Sequence, residues 1–354
     1  MNTIVRSLVA LSLALTAQGV GQAQSTAGPS AAGPYRVVKT YHVGGDAKYW
    51  DYMNFDQDRG LLFVSLGSHM AVIDAATGKT VGDIAGMKRC HGVALVPSVN
   101  RGFISDGDDD AVVIFDLKTY KVLGKVNVGP DGDGIHHDPA TKKVWVVSGD
   151  GNSVIAIPES IDPQTGKAEE PVALGGKPEF FVIDRGKAYI NLTDKNEVVV
   201  LDTATKKVLN RWPVAPGGAN TAMAMDRVNR RLFIGCRNPQ KLIVMDASNG
   251  KVLSDIPIGA GCDATQFDDG YAFACTRDGK LTVARESSPG KFDLLQTVPT
   301  ATWAGTMAVD PKTHAIYLPT SEFETPVTTF ARLDKSKVVK PESFKIIVVG
   351  RAGK

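Results

Sequence analysis

Leu62-Phe63-Val64-Ser65, followed by Val72-Ile73-Asp74 and then Gly78-Lys79-Thr80-Val81, is the stretch whose reading decides the fold. A branched or aromatic run ends in a small residue, an apolar triplet ends at Asp, and a turn leads into Lys and Val. The same order returns as Gly102-Phe103-Ile104-Ser105, Ile114-Phe115-Asp116 and Lys121-Val122-Leu123. It comes again as Tyr189-Ile190-Asn191, Val200-Leu201-Asp202, Lys207-Val208-Leu209, and as Phe233-Ile234-Gly235, Val244-Met245-Asp246, Lys251-Val252-Leu253. Shorter copies are Val146-Val147-Ser148, Phe273-Ala274-Cys275 and Tyr317-Leu318-Pro319. A step of about 40–44 residues is the length of four short strands, the period of a β-propeller blade. The repeat therefore predicts an all-β, seven-bladed β-propeller with four-stranded antiparallel blades.

One copy shows how a blade is written. Residues 93–96, 101–105, 111–116 and 122–128 read as its four strands from the centre outward. The apolar runs are continuous because each sheet is packed on both faces by its neighbours. The Asp that ends each third strand precedes Thr or Asn by three residues (Asp74/Thr77, Asp116/Thr119, Asp202/Thr205, Asp246/Asn249). Such an Asp accepts backbone N–H bonds in a turn, and Gly78 and Gly250 supply the positive φ the turn needs. The last copy has only three strands, at 306–309, 315–318 and 344–349, with one long insertion at 321–342. Residues 35–43 supply the missing outer strand. The ring would then close on its own N-terminus and leave no open sheet edge.

The first 23 residues have a different character. Arg6, an apolar stretch over residues 8–17 and Gly21-Gln22-Ala23 have the three parts of a cleaved signal peptide. The apolar run is too short for a membrane-spanning helix, which needs ~20 residues. Residues 24–34 read as a flexible leader and 35–354 as one propeller domain. This predicts a periplasmic or secreted monomer with no membrane span. Without Arg6 the chain carries 39 Lys plus Arg against 38 Asp plus Glu. A near-neutral chain gives no reason to expect nucleic acid as a partner.

The repeat resembles the YVTN-type β-propeller family of secreted bacterial proteins. The resemblance spans residues 35–351, with Phe63-Val64-Ser65 where the name-giving Tyr-Val-Thr-Asn would stand and Val72 to Val81 a close match. It implies the propeller fold. Relatives of that fold include lactonases, haem d1 domains and amine dehydrogenase subunits, so the resemblance implies no single activity.

Aligning the repeats puts chemistry at one end of the channel. Asp51, Asp133, Glu179 and Asp263 share a level at the start of the inner strands, with His91 and Asn220 beside them. Carboxylates gathered this closely raise one another's pKa or call for a cation. They are the candidate metal ligands, for a divalent cation such as Ca²⁺ at about 2.3–2.6 Å from a common centre. His91, Asn220, Arg237, Arg277 and Trp303 are the candidate ligand-binding residues. Arg237 and Arg277 either grip an anionic group together or pair with the acidic ring. Asp106, Asp108, Asp109, Asp110, Asp150 and Asp194 add charge to the same end, the first four as an acidic turn. His137 reads as a core residue, and His136 points to the opposite face. The first hairpin turns align at Asp56, Pro97, Asp138, Asp184, Asp226, Asp268 and Asp310; the acidic level lies five residues before this position, and His91 and Asn220 one residue further out.

Four cysteines are present. Cys262 and Cys275 flank a hairpin whose midpoint is Asp268-Asp269, which places them opposite each other. That predicts at most one disulfide, Cys262–Cys275, with Cys236 a competing partner, Cys90 unpaired, and four reduced thiols as the other outcome. No nucleophile elbow, Walker loop, HExxH, dinucleotide fingerprint or CxxCH site occurs. The sequence reading is an exported propeller that binds a small molecule or a protein through its central funnel. A metal-assisted, lactonase-like hydrolase or lyase is the alternative, and a carrier of a haem-like or quinone cofactor a weaker one.

Overall fold

A computed structural model describes residues 33–45, 47, 49–330 and 338–351. The predicted signal peptide, and the leader apart from Gly33 and Pro34, lie outside the described residues. Among these residues, regular structure is almost wholly β, with two single-turn 3₁₀ helices at Pro97–Val99 and Gly107–Asp109. No helix among them is long and apolar enough to cross a membrane.

Five sheets are four-stranded and antiparallel, and a sixth has seven strands. The larger sheet arises because one strand, Thr80–Val96, does not break. Its first part pairs with Gly67–Asp74 and its last part with Arg101–Asp106. It is the outer strand of one repeat and the inner strand of the next. Inner strands touch in the order Met53–Asp56, Thr80–Val96, Gly132–Asp138, Pro178–Asp184, Asn220–Asp226, Cys262–Asp268 and Ala308–Asp310, and Ala308–Asp310 touches Met53–Asp56 again.

The N-terminal strand Tyr35–His42 pairs antiparallel with Lys345–Arg351, with Tyr35 opposite Arg351. It takes the outer place beside Lys345–Arg351, Ala315–Thr320 and Ala308–Asp310. Its first residue also ties it to the preceding sheet. Gln296 accepts from the Tyr35 N–H (3.1 Å) and donates to its carbonyl (2.7 Å). The Tyr35 ring stands edge-on to Tyr271 and Phe273, at 5.4 and 5.1 Å.

Hydrophobic clusters fill the spaces between neighbouring sheets. Phe233, fully buried, stacks on Phe267 at 4.9 Å and meets Phe292 edge-on at 5.0 Å. Burying each such side chain contributes about 1.5–3 kcal/mol, which explains why the runs that define the repeat are apolar on both faces. The turn aspartates behave as their spacing predicts: Asp74 accepts from the Thr77 N–H (2.8 Å) and hydroxyl (2.7 Å), and Asp202 from the same groups of Thr205. Gly78 has φ of 74°, and a Cβ there would lie 2.2 Å from the Tyr41 ring.

Four expectations need correction. The insertion at 321–342 is not the only long one: residues 159–171 separate Ser153–Pro158 from an outer strand of two residues, Val172–Ala173. That segment packs across the neighbouring repeat, where Arg101 donates to the Ile161 carbonyl at 2.5 Å. His137 is not a core residue; it lies half-buried with Nε2 2.7 Å from Glu159 on the same segment. The third correction concerns Cys262 and Cys275, which are both buried and free. The hairpin turns on Asp269-Gly270, since Asp268 pairs with Tyr271, so Cys275 faces Ala264 and, past a bulge, Cys262 faces Thr276. Cys275 lies instead 2.8 Å from the Gly305 carbonyl. Finally, His91 stands at the level of Asp51 and not one residue outside it, because Val96, and not Pro97, takes the place of Asp138: Val96 pairs with Arg101 as Asp138 pairs with Lys143.

Candidate functional site

The starts of the inner strands bring the predicted residues together. Asp51 Oδ2 lies 2.6 Å from His91 Nδ1 and accepts from the Tyr49 hydroxyl at 2.7 Å. Asp133 Oδ1 stands 3.6 Å from the same His91 nitrogen. On the other side of the imidazole, Arg89 Nε donates to Nε2 at 3.0 Å. Arg89 is itself held by Asp108 (3.0 Å) and Asp131 (3.1 Å), and Lys177 joins Asp131 to Asp150. The acidic turn positions this arginine: buried Asp106 accepts from the Arg89 N–H at 2.7 Å. Gly107 allows the close approach, since a Cβ there would lie 2.8 Å from His91 Nε2.

Asp263 has a different environment. Arg237 and Arg277, on neighbouring sheets, both donate to its carboxylate, one to each oxygen. They pair with the acidic ring, the second of the two arrangements their sequence positions allowed. Arg277 also lies over the Trp303 ring, 4.5 Å from its centre. Trp303 adopts φ of 66°, a costly conformation for a bulky residue. Trp50 Nε1 donates to the Trp303 carbonyl at 3.0 Å and fixes it there. Asn220 is fully buried and ties two sheets, donating to Asn191 Oδ1 (2.8 Å) and the Glu197 carbonyl (3.0 Å).

Electrostatics follow from this pairing. Burial opposes ionisation of Asp51, yet its bonds from His91 and Tyr49 hold it below the usual carboxylate range. Burial likewise opposes a charge on His91, but Asp133 and Asp51 outweigh it and lift the imidazole to about 9. Asp133 is pushed well above its ordinary value, chiefly by burial, with His91 pulling it down and Glu179 and Asp51 adding to the rise. Glu179 is raised too, by burial first, with Arg237 pulling the other way. Asp133 Oδ1 has only the longer approach of His91 Nδ1, at 3.6 Å. It is buried in a residue 8% exposed, and no described residue gives it a hydrogen bond.

One residue the repeat alignment passed over belongs here. Tyr52 is buried with its ring 4.9 Å from Phe180, and all four carboxylates add to the burial that raises its hydroxyl. The signal was in the next aligned position, where Tyr52 and Phe180 are aromatic and Gly134, Ala222, Ala264 and Thr306 are small.

Asp51, His91 and Asp133 each bring a possible ligand atom within 4.8 Å of the others. Their donor chemistry does not suit a metal. His91 Nδ1 shares its proton with Asp51 while Nε2 accepts from Arg89, and a second proton would occupy Nε2 as well. In either state no nitrogen lone pair faces the carboxylates, as a metal or an axial haem contact requires. Asp263 is held by two arginines and Asp51 by His91 and Tyr49, so of the predicted metal ligands Asp133 and Glu179 are the two outside these pairs.

No family model matches the sequence, and no curated protein matches it. Solved structures do resemble the fold. Hydrazine synthase of Kuenenia stuttgartiensis aligns with a TM-score of 0.66 at 15% identity, over 78% of this chain and 94% of that one. A structure of U3-55K aligns at 0.70 and 12% identity, over 90% and 99%. The crystal structure of RRP9 WD40 repeats aligns at 0.71 and 12% identity, over 91% and 98%. Likeness at these identities concerns architecture alone, and that architecture is the β-propeller.

Proposed function

We propose that the chain is an exported, seven-bladed β-propeller, closed by its N-terminal strand, that binds a small molecule or a protein at the mouth of its central channel. Seven blades follow from counting Thr80–Val96 twice, once as an outer and once as an inner strand. The pairing of Tyr35–His42 with Lys345–Arg351, and the contact between Ala308–Asp310 and Met53–Asp56, support closure. The WD40-like neighbours favour a binding scaffold by analogy of fold. One observation carries the reading: Asp133 Oδ1 is buried at the mouth without a hydrogen-bond partner among the described residues. Leaving such an acceptor unmet costs about 1–3 kcal/mol, a cost that a bound partner would remove.

A thermal-shift screen of the chain from residue 24 onward tests this. Amines, carboxylates, phosphates, divalent cations, sugars and short peptides would be tried on the wild type and on Glu179→Lys, whose added ammonium occupies the mouth. The reading expects at least one class to raise the melting temperature of the wild type alone. Equal rises in both proteins, or none in either, would contradict it.

A further inference from the structure

We propose that the mouth receives the primary ammonium group of a small molecule, with Asp133 and Glu179 as its acceptors. This rests on reading the mouth as a binding site and names the class of ligand that fits. The pairing of the mouth decides the sign of the missing group. Asp51 is matched by His91 and Tyr49, and Asp263 by Arg237 and Arg277. Arg89 and Lys177 are spent on Asp108, Asp131 and Asp150. Asp133 Oδ1 is left buried without a hydrogen bond among the described residues, since His91 Nδ1, 3.6 Å away, is bonded to Asp51. Glu179, the neighbouring carboxylate, acts on it through space.

An anion is repelled by two such groups as they ionise, and a cation is the partner that offsets the burial that opposes their charged forms. Metal ions meet the donor problem already described, since both nitrogens of His91 are committed. An alkylammonium group carries one positive charge and three N–H donors in a small head, enough for both carboxylates. The surroundings suit its hydrocarbon part. Tyr52 and Phe180 lie with ring centres 4.9 Å apart, and His136 meets Phe180 edge-on at 5.0 Å. Aromatic faces beside carboxylates favour organic cations over strongly hydrated metal ions.

Calorimetric titration with n-butylamine and putrescine, alongside n-butanol, calcium chloride and zinc chloride, tests the assignment. The amines should bind the wild type, and the alcohol and both metal salts should not. Asp133→Asn should weaken amine binding about tenfold or more, the loss of a charge-assisted bond, while melting no lower than the wild type in the absence of ligand. Amines that fail to bind, or that bind Asp133→Asn equally well, overturn the proposal. If amines fail while another class in the screen stabilises the wild type and not Glu179→Lys, the ammonium assignment alone falls. If no class does so, the mouth as a binding site falls with it.

Discussion

Asp133 is where a single residue carries most of the argument, and its stability effect has a definite sign. Its folded pKa lies above the unfolded value of 3.8, so its contribution is fully present below pH 3.8 and is lost as pH rises. Asp133→Asn removes that loss. The variant should melt with the wild type near pH 4 and above it by pH 8, by about 2 °C for each kcal/mol gained. Scans of both proteins across that range check this, and a variant less stable at every pH would show the carboxylate to be structural. The histidines shape the same curve. Burial takes His136 down to about 4, so the folded protein loses stability as pH falls from 6.5 toward 4, by up to about 3 kcal/mol. His91 is raised to about 9, so its contribution is present below pH 6.5 and fades as pH rises through 9. Between pH 4 and 6.5 the gain from His136 with rising pH is opposed by the loss from Asp133, so His136→Phe is compared with the wild type and should gain stability relative to it on the acid side alone. An unchanged acid limb in that variant would remove His136 from the account.

At the scale of strands, the register of the repeat was legible and its interruptions were not. Apolar runs of fixed spacing place Arg101–Asp106, Ala111–Asp116 and the closing strand Tyr35–His42 correctly, because burial on both faces leaves little freedom of register. The bulges at Cys90–Val93 and Cys262–Ala264 add one residue without a change in composition. The hairpin centres, also not marked by composition, put His91 in the acidic level and set Cys275 opposite Ala264: Val96 pairs with Arg101, and Asp268 with Tyr271. The carboxylates of the mouth could be found from their shared register and Arg237 and Arg277 from the ends of their second strands, but the pattern does not specify that both arginines converge on Asp263. Two predictions belong here. Removing residues through Val43 should expose the edge of Lys345–Arg351 and cause aggregation, read by light scattering; a monomer with unchanged melting would contradict this. Four thiols should react with iodoacetamide in denaturant without reductant, as four buried free cysteines require, and a count of two would restore the disulfide.

Across the whole molecule, the repeats supply a scaffold and the start of each inner strand supplies one functional position. Aligned positions at the starts of successive inner strands bring unlike residues together: His91 beside Asp51, Asp263 held by two arginines, and Asp133 and Glu179 outside those pairs. The four short strands of each repeat do not vary much, whereas these end positions do, which is how one architecture serves unrelated partners. The central claim is that a ligand at the mouth meets the orphaned oxygen. The most direct measurement is a crystal structure of the chain bound to whichever compound from the screen raises its melting temperature most. The account predicts a donor atom of that compound within hydrogen-bonding reach of Asp133 Oδ1, about 3 Å. A compound bound elsewhere, with Asp133 Oδ1 still unpartnered, would contradict it.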